Sequence, residues 1–360
     1  MKRILCFIDE LGSGGAERQL VGLASLLKKN GYYVDVFCYH PIYFYEPLLK
    51  ANNVTLLKSD ISPKNYFWKI YMSYKVIRKG HYDVVIAFAP GSVAISLLIK
   101  LWYNKFKLIV SDRNTTHIIS FKNRIKFNLY RLADYIVPNS YSQTNILRKC
   151  FPFMRKKLST ITNFADLKKF HPKRSEFSDI NQTLKIMVAA RHNVVKNVPN
   201  FILAVKEAKQ KGLKFYVKWY GNINVPLYKE HAALAETEGV TDVLKFLPQE
   251  QNIEECYQEA DVLCLPSLLE GFPNVIGEAM SSALPVICSD VDDNHVLVED
   301  RVNGFLFNPN DPHDIAKAIE KICDMPKEER KRMGYINREK AEILLSPETF
   351  ISKYIRLIEG

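Results

Sequence analysis

The chain lacks the cysteine spacing of a disulfide scaffold or a zinc site. Its seven cysteines form no C-x-x-C pair, and most stand in apolar runs. Buried, reduced thiols in a reducing compartment are therefore expected. Long apolar runs are also missing. The longest, "VVIAFAPGSVAISLLI" from Val84 to Ile99, is split by Pro90-Gly91. It falls short of the ~18 residues of a membrane span, so a buried strand, a turn and a helix are expected there. The opening "MKRILCFIDE" reaches two acids after about five apolar residues, too few for a signal-peptide core, and a cytoplasmic location is expected. Internal repeats and low-complexity tracts are absent. Acid is scarce on one side only. Residues 1–163 hold 25 Lys/Arg against nine Asp/Glu, a net of +16, whereas residues 164–360 hold 25 against 30, a net of −5. The two halves therefore face different partners, and the basic half suits a polyanion: nucleic acid, an anionic membrane surface or a phosphorylated acceptor.

At 360 residues the chain is long for one core, and two domains are expected. Hydrophobic content of 47% with 25% charged residues places it among soluble globular proteins. Short β-branched apolar runs alternate with helix-period segments. The strand candidates in the first half are "RILCFID", "YVDVFCY", "VTLL", "DVVIAFA", "KLIVS", "DYIVPNS" and "LSTITN". In the second half they are "LKIMVAA", "KFYVKWY", "VLKFLP", "DVLCLPS", "LPVICSD" and "GFLF". Continuous apolar runs, rather than alternating ones, suit parallel strands covered on both faces. Helices are expected over 16–30, with Leu20, Leu23, Ala24 and Leu27 on one face, and over 199–211. The βα alternation restarts after a polar break, Asn163 to Lys185, giving an α/β fold of two doubly wound domains. The expected boundaries are 1–163, a linker over 164–184, 185–342, and a last amphipathic helix within 343–360.

Three places combine anion-binding groups with carboxylates. "DELGSGGAERQL" puts the turn Gly12-Ser13-Gly14-Gly15 between the first strand and a helix. Its backbone N–H groups and the helix N-terminus favour an anion. It is neither G-x-G-x-x-G nor a P-loop with Lys-Ser/Thr, which disfavours dinucleotide and P-loop chemistry; a plain tight turn is the alternative. "VAARHNVVKN" places Arg191 and Lys196 after the first strand of the second domain. Arg forks onto phosphate oxygens and Lys acts as a point charge; a solvated basic loop is the alternative. "LPSLLEGFPNVIGEAM" carries Glu270 in a loop and Glu278 on a helix starting near Asn274. The Gly271-Phe272-Pro273 turn and the amides of Asn274 and Val275 make a further anion site. No histidine or aspartate cluster stands beside the two glutamates, so metal ligation is not expected. Donors for phosphates beside carboxylates for hydroxyls are what a nucleoside-diphosphate sugar requires.

On "GGAERQL", Arg191 with Lys196, the E-x7-E pair Glu270/Glu278, "LPVICSD" and "VNGFLFNPNDPHDIAKAI", the chain resembles the GT-B glycosyltransferases of family 4, the retaining nucleotide-sugar enzymes. The resemblance covers most of the chain and is strongest over 186–320. It implies two Rossmann-like domains facing each other across a cleft: the first for the acceptor, the second for the donor, with the C-terminal helix crossing back to the first. It implies that Glu278 holds the ribose hydroxyls and Glu270 approaches the transferred sugar. Arg191 and Lys196 would bind the diphosphate and stabilise the leaving group, needing no metal and no cofactor beyond the sugar nucleotide. Gly14, Gly15 and the amides from Phe272 to Val275 would complete the phosphate cradle, with Phe246 to Gln249 along the base pocket. No carboxylate stands out as a nucleophile, so same-face attack with retention is expected, the donor phosphate oxygen receiving the acceptor proton.

The sequence departs from the family in two stretches. Many members carry a histidine after the fourth or fifth strand of the first domain; here "DRNTTH" puts Arg113 or Asn114 at that place and His117 a few residues on, which makes Arg113 a candidate catalytic residue and Asn114 and His117 candidates on the acceptor side. Asp292-Asp293 and His295-Val296 stand where Gly-Gly and Pro-Glu are common. A family subset with a similar S-x-R-N segment works on bacterial surface polysaccharides. In the basic half, Lys64–Tyr82 and Phe121–Tyr135 mix lysine and arginine with aromatics. Such segments lie on an anionic leaflet or form solvated basic helices with an apolar core face. The expected partners are thus a nucleotide sugar (UDP-sugar favoured), a polyprenyl-diphosphate-linked glycan and the anionic inner face of the cytoplasmic membrane, with no nucleic acid. The competing readings are a GT-B nucleotide-sugar epimerase and a non-catalytic basic binding protein or partner subunit.

Overall fold

A computed structural model of the chain describes residues 1–59, 65–113, 116, 118–172 and 182–360. The chain divides into two compact units: Met1–Asn163 with Pro347–Gly360, and Phe164–Ser346.

The first unit is built on six parallel strands: β1 Arg3–Ile8, β2 Tyr33–Cys38, β3 Thr55–Lys58, β4 Val84–Phe88, β5 Lys107–Asp112 and β6 Tyr135–Pro138. Their order is β3-β2-β1-β4-β5-β6. The central strands read as unbroken apolar runs because both faces are covered: every residue of β4 is buried, as is every residue of β1 after Arg3. The run from Val84 to Ile99 divides as its Pro-Gly pair predicts, with the helix Pro90–Trp102 following β4. "LSTITN" does not become a strand. It runs beside β6, with Ser159 N–H donating to Ile136 O and Ile161 N–H to Pro138 O, but closes only an isolated bridge at Leu158.

The helix Pro347–Glu359 belongs to this first unit, 180-odd residues after the chain has left it. Phe350, Ile351, Tyr354 and Ile358 are its buried face. Its last carbonyls meet cations: Lys107 Nζ donates to Leu357 O and Ile358 O, both at 3.0 Å, and Lys2 Nζ to Ile358 O at 2.8 Å. A positive charge on the orphan carbonyls of a helix C-terminus is favourable.

The second unit repeats the plan with β7 Leu184–Ala189, β8 Phe215–Tyr220, β9 Leu244–Leu247, β10 Val262–Leu265, β11 Val286–Ser289 and β12 Gly304–Phe307, all parallel. Their order, β12-β11-β10-β7-β8-β9, is the same doubly wound order counted from its own first strand. In each sheet the chain reverses its winding direction once, between β1 and β4 in the first and between β7 and β10 in the second. Ligands bind outside the carboxyl ends of the strands at such a point. The segment 164–184, expected as a linker, contributes to the second unit's core at its start. Ala165 and Phe170 are buried, and Ala165 N–H donates to Leu345 O at 2.9 Å. Four of the seven cysteines are buried, and all seven are free thiols.

Candidate functional site

The switch point of the second sheet gathers Arg191, Lys196 and Glu270 on two neighbouring loops. The loop after β7 is fastened at intervals. Ala190 N–H donates to Tyr220 O, and Ala190 O accepts from Trp219 Nε1 at 2.8 Å. Asn193 caps a single turn, Val194–Lys196, by accepting from Lys196 N–H at 3.1 Å. Asn197 takes a left-handed conformation, φ 58°, and donates to Pro309 O. Leu268 N–H donates to Val195 O at 2.8 Å, which ties this loop to the one after β10.

Lys196 Nζ lies 2.5 Å from Glu270 Oε1, and both side chains are largely withdrawn from solvent. Arg191 is exposed; its carbonyl accepts from Asn193 N–H at 3.0 Å, and its side chain makes no ion pair or hydrogen bond among the described residues. Glu270 is also held through its backbone, its N–H donating to Asp292 Oδ2 at 2.8 Å. Asp292 itself sits at φ 48°. That left-handed region is where a glycine would stand at no steric cost, and aspartate is among the few other residues that enter it. The sequence departure at Asp292 thus keeps the glycine-like backbone and adds a carboxylate clasp on Glu270.

Glu278 has a separate environment. It lies on the helix Asn274–Ser281, is 5% exposed, and accepts from Tyr257 Oη at 2.9 Å. The same hydroxyl reaches Val275 O at 3.3 Å. Pro273 heads the helix with no side-chain cap, and its carbonyl takes the amides of Ile276 and Gly277. The amides of Asn274 and Val275 therefore stand outside the intrahelical ladder. Gly271 continues the loop from Glu270, and Phe272 is buried with Ile276, Ala279 and Met280, anchoring the turn. Phe246, on β9, is half-buried. It packs edge-on against His192 with centroids 4.9 Å apart, and lies near Trp219 and Tyr228.

In the first unit, Gly14 precedes the helix Gly15–Lys29, which has no side-chain cap. The Glu17 carboxylate lies over Gly14, its Oε2 2.2 Å from where a Cβ would stand. At the helix Pro90–Trp102, Asp9 accepts from Ser92 N–H at 2.5 Å and Gly91 N–H at 3.1 Å, so a protein carboxylate occupies that N-terminus. A Cβ on Gly91 would fall 2.3 Å from Tyr39 Oη, which explains the glycine. Arg113 follows β5, and its donors are spent inside this unit. Nε meets Ser111 Oγ at 2.7 Å, Nη1 meets Asn163 Oδ1 at 2.6 Å, and Nη2 meets Tyr354 Oη at 2.9 Å, with the guanidinium over the Phe88 ring. Burial lowers the Arg113 pKa from its ordinary value and raises that of Tyr354. Beside it Asp112 is buried and its pKa is raised by burial, against Lys126, Gln143 and Arg113, which favour the carboxylate. Asn114 and His117 lie outside the described residues.

Tyr257, Asp292, Asp9 and the imidazole pair described below escaped the sequence reading as functional groups. Tyr257 stands in "NIEECYQEA" with no motif around it, and only packing brings it to Glu278. Among the described residues no group of histidine, cysteine and carboxylate side chains is arranged to hold a metal ion, and no helix is long and apolar enough to cross a membrane.

Residues 13–169 match the family described as Glycosyltransferase Family 4, and residues 171–340 match Glycosyl transferases group 1. A Campylobacter jejuni protein named as N-acetylgalactosamine-N,N'-diacetylbacillosaminyl-diphospho-undecaprenol 4-alpha-N-acetylgalactosaminyltransferase is 25% identical, with 94% of each chain covered. The amylovoran biosynthesis glycosyltransferase AmsD of Erwinia amylovora is 24% identical, with 81% of each covered. Among solved structures, HepE of Anabaena in complex with UDP and glucose superposes with a TM-score of 0.85 at 18% identity, covering 100% of each chain. A glycosyltransferase from Rickettsia africae gives the same TM-score at 16% identity, covering 99% of this chain and 98% of its own. At these identities the solved structures speak to the fold, which is theirs.

Proposed function

We propose a specific reaction from one premise: the chain belongs to the family 4 glycosyltransferases, the two family matches together running from residue 13 to residue 340. It moves a hexose or N-acetylhexosamine from a nucleoside-diphosphate sugar, UDP favoured, to a glycan carried on a polyprenyl diphosphate, in the assembly of a bacterial surface polysaccharide. The anomeric configuration is retained and no metal is required.

The observation that carries the donor half is the convergence of Arg191, the Lys196–Glu270 pair and the uncapped helix of Glu278 at the switch point of the second sheet. In the free protein Lys196 is neutralised by Glu270. A diphosphate entering beside Arg191 offers Lys196 a stronger anion and frees Glu270 to accept from a sugar hydroxyl. As the bond between the anomeric carbon and the diphosphate breaks, negative charge grows on the departing oxygens. Arg191, Lys196 and the amides of Asn274 and Val275 are fixed positive groups for that charge. The acceptor hydroxyl attacks from the same face and passes its proton to the departing phosphate oxygen. Glu278, oriented by Tyr257, holds the ribose, and Phe246 lies along the base. Gly14 and Gly15 keep their expected role as anion-binding amides, and Arg113 holds the segment after β5.

Two features support a lipid-linked acceptor on an anionic leaflet. The relatives named for undecaprenol-linked substrates align along nearly the whole chain. The basic half also exposes aromatic side chains: Tyr66, Phe67, Trp68 and Tyr71 on the helix Tyr66–Gly80, and Phe121 with Ile125 on the helix Phe121–Leu129. These helices bury a narrow stripe and leave rings and cations outward, as an interfacial helix does. The reading places the enzyme peripherally on the inner face of the cytoplasmic membrane.

The test is a thermal-shift screen of UDP-, GDP- and ADP-sugars followed by transfer assays in EDTA. A bound donor raises Tm by mass action, and free nucleotide should then appear only when a polyprenyl-diphosphate glycan is added. Nucleotide release without acceptor, or conversion of one sugar nucleotide into another, would favour the epimerase instead.

A further inference from the structure

Between Arg191 and Asn193 one residue of the donor loop points inward. His192 is 3% exposed, and its Nδ1 lies 3.0 Å from Nδ1 of His231, which is 5% exposed on the helix Pro226–Thr237. We propose that this buried imidazole pair is a positioning device for the donor loop, its neutral state holding Arg191 and Lys196 where a nucleoside diphosphate needs them. The inference rests on the reading that this loop binds the donor diphosphate.

The argument is one of fastening. The loop is anchored at Ala190 by Trp219, at Val195 by Leu268 and at Asn197 by Pro309. Between these points His192 is the buried plug. Its ring packs against Phe246, Tyr228, Trp219 and His231, with centroids 4.9 to 6.0 Å away. Nδ1 is its polar attachment. Nε2 is buried and has no partner among the described residues. An Nδ1···Nδ1 hydrogen bond requires one ring to donate and the other to accept. The lower-cost arrangement makes His192 Nδ1 the donor, so that its buried Nε2 carries no orphaned N–H. Losing the attachment lets the ring turn toward solvent, and the adjoining Arg191 moves with it.

The attachment is pH-sensitive. A proton added to either ring puts a charge among aromatic neighbours. Burial, and then His231, hold His192 down to about 4. Burial lowers His231 as well, against Glu230, the charged neighbour that favours its protonated form. The pair therefore stays neutral near pH 7 and comes under strain as the solution is acidified.

The experiment is calorimetric titration with UDP between pH 7.5 and 4 for the wild type, H231N, H231L and R191A. Asparagine places an amide atom where Nδ1 stands and does not titrate; leucine offers nothing to His192. At pH 7.5, H231L should bind UDP about tenfold more weakly, the loss expected when a buried polar partner is removed, and H231N should bind like the wild type. UDP's own phosphate titrates near pH 6, so the readout is the ratio of wild-type to H231N affinity, which cancels it. That ratio should fall as pH drops. H231L binding like the wild type while R191A binds weakly, or a ratio constant with pH, overturns the positioning role alone. R191A binding like the wild type overturns the loop's donor role and this inference with it.

Discussion

Removing one oxygen atom from Tyr257 tests how Glu278 is held. In Y257F the ring stays, fully buried and edge-on to Phe170 at 5.5 Å, so packing is conserved. What goes is the hydroxyl 2.9 Å from Glu278 Oε2 and 3.3 Å from Val275 O. A hydrogen bond to a charged group contributes roughly 1.5–3 kcal/mol. Taking about 2 kcal/mol, and about 2–4 °C of Tm per kcal/mol for a unit of this size, the second unit should melt about 4–8 °C lower. The effect should carry into binding. A Glu278 carboxylate that has lost the Tyr257 hydroxyl is held less firmly for a ribose, and about 1.4 kcal/mol of lost positioning is tenfold in the UDP dissociation constant. Calorimetric melting gives the first number and UDP titration the second. E278Q, a neutral replacement of similar shape, is the companion: it should lose UDP affinity with a smaller change in melting. A Y257F protein that melts and binds UDP like the wild type, beside an E278Q protein that does not bind, would show that Tyr257 does not orient Glu278.

Other outcomes follow from the same geometry. E270Q removes the charge that pairs with Lys196; the lysine is then free for the diphosphate, so UDP should bind at least as tightly while the transfer rate falls by about 100-fold, the order seen when an electrostatic group at a reacting centre is lost. Binding to liposomes rich in anionic lipid should weaken steeply with salt, and replacing Phe67 and Trp68 together by serine should weaken it further without shifting UDP affinity; binding that is indifferent to both would remove the case for the interfacial helix. Stability should fall on acidification in a defined window. The folded-state pKa of His192 lies below its unfolded value, so the stabilisation from the neutral ring is complete above about pH 6.5 and is lost as pH falls toward about 4. Melting scans of H192N across that window should show a shallower decline than the wild type.

Much of the fold could be read along the chain because its signals are local. Buried parallel strands announce themselves as unbroken runs such as "VVIAF", and Gly, Pro and Asn punctuate the helices. "LSTITN" misled because its composition is strand-like, while beside the short edge strand β6 it closes only an isolated bridge. Arg191, Lys196, Glu270 and Glu278 could be picked as candidates because they flank strand ends and a helix start, the places where a doubly wound sheet presents backbone donors.

The sequence alone determined the fold class, the two-unit plan and the residue types of the proposed donor site, since periodicity and spacing are properties of neighbouring residues. Tertiary structure decided who meets whom. Lys196 finds Glu270 across 74 positions because β7 and β10 lie side by side at the switch point. Tyr257 reaches Glu278 by packing against its helix, and Asp292 clasps the Glu270 amide from a left-handed turn. His192 looked like one more polar residue in a basic loop until β8, β9 and the helix of His231 closed around it. Each of these is a choice of partner in three dimensions, set by strand order and burial, for which spacing along the chain carries no signal.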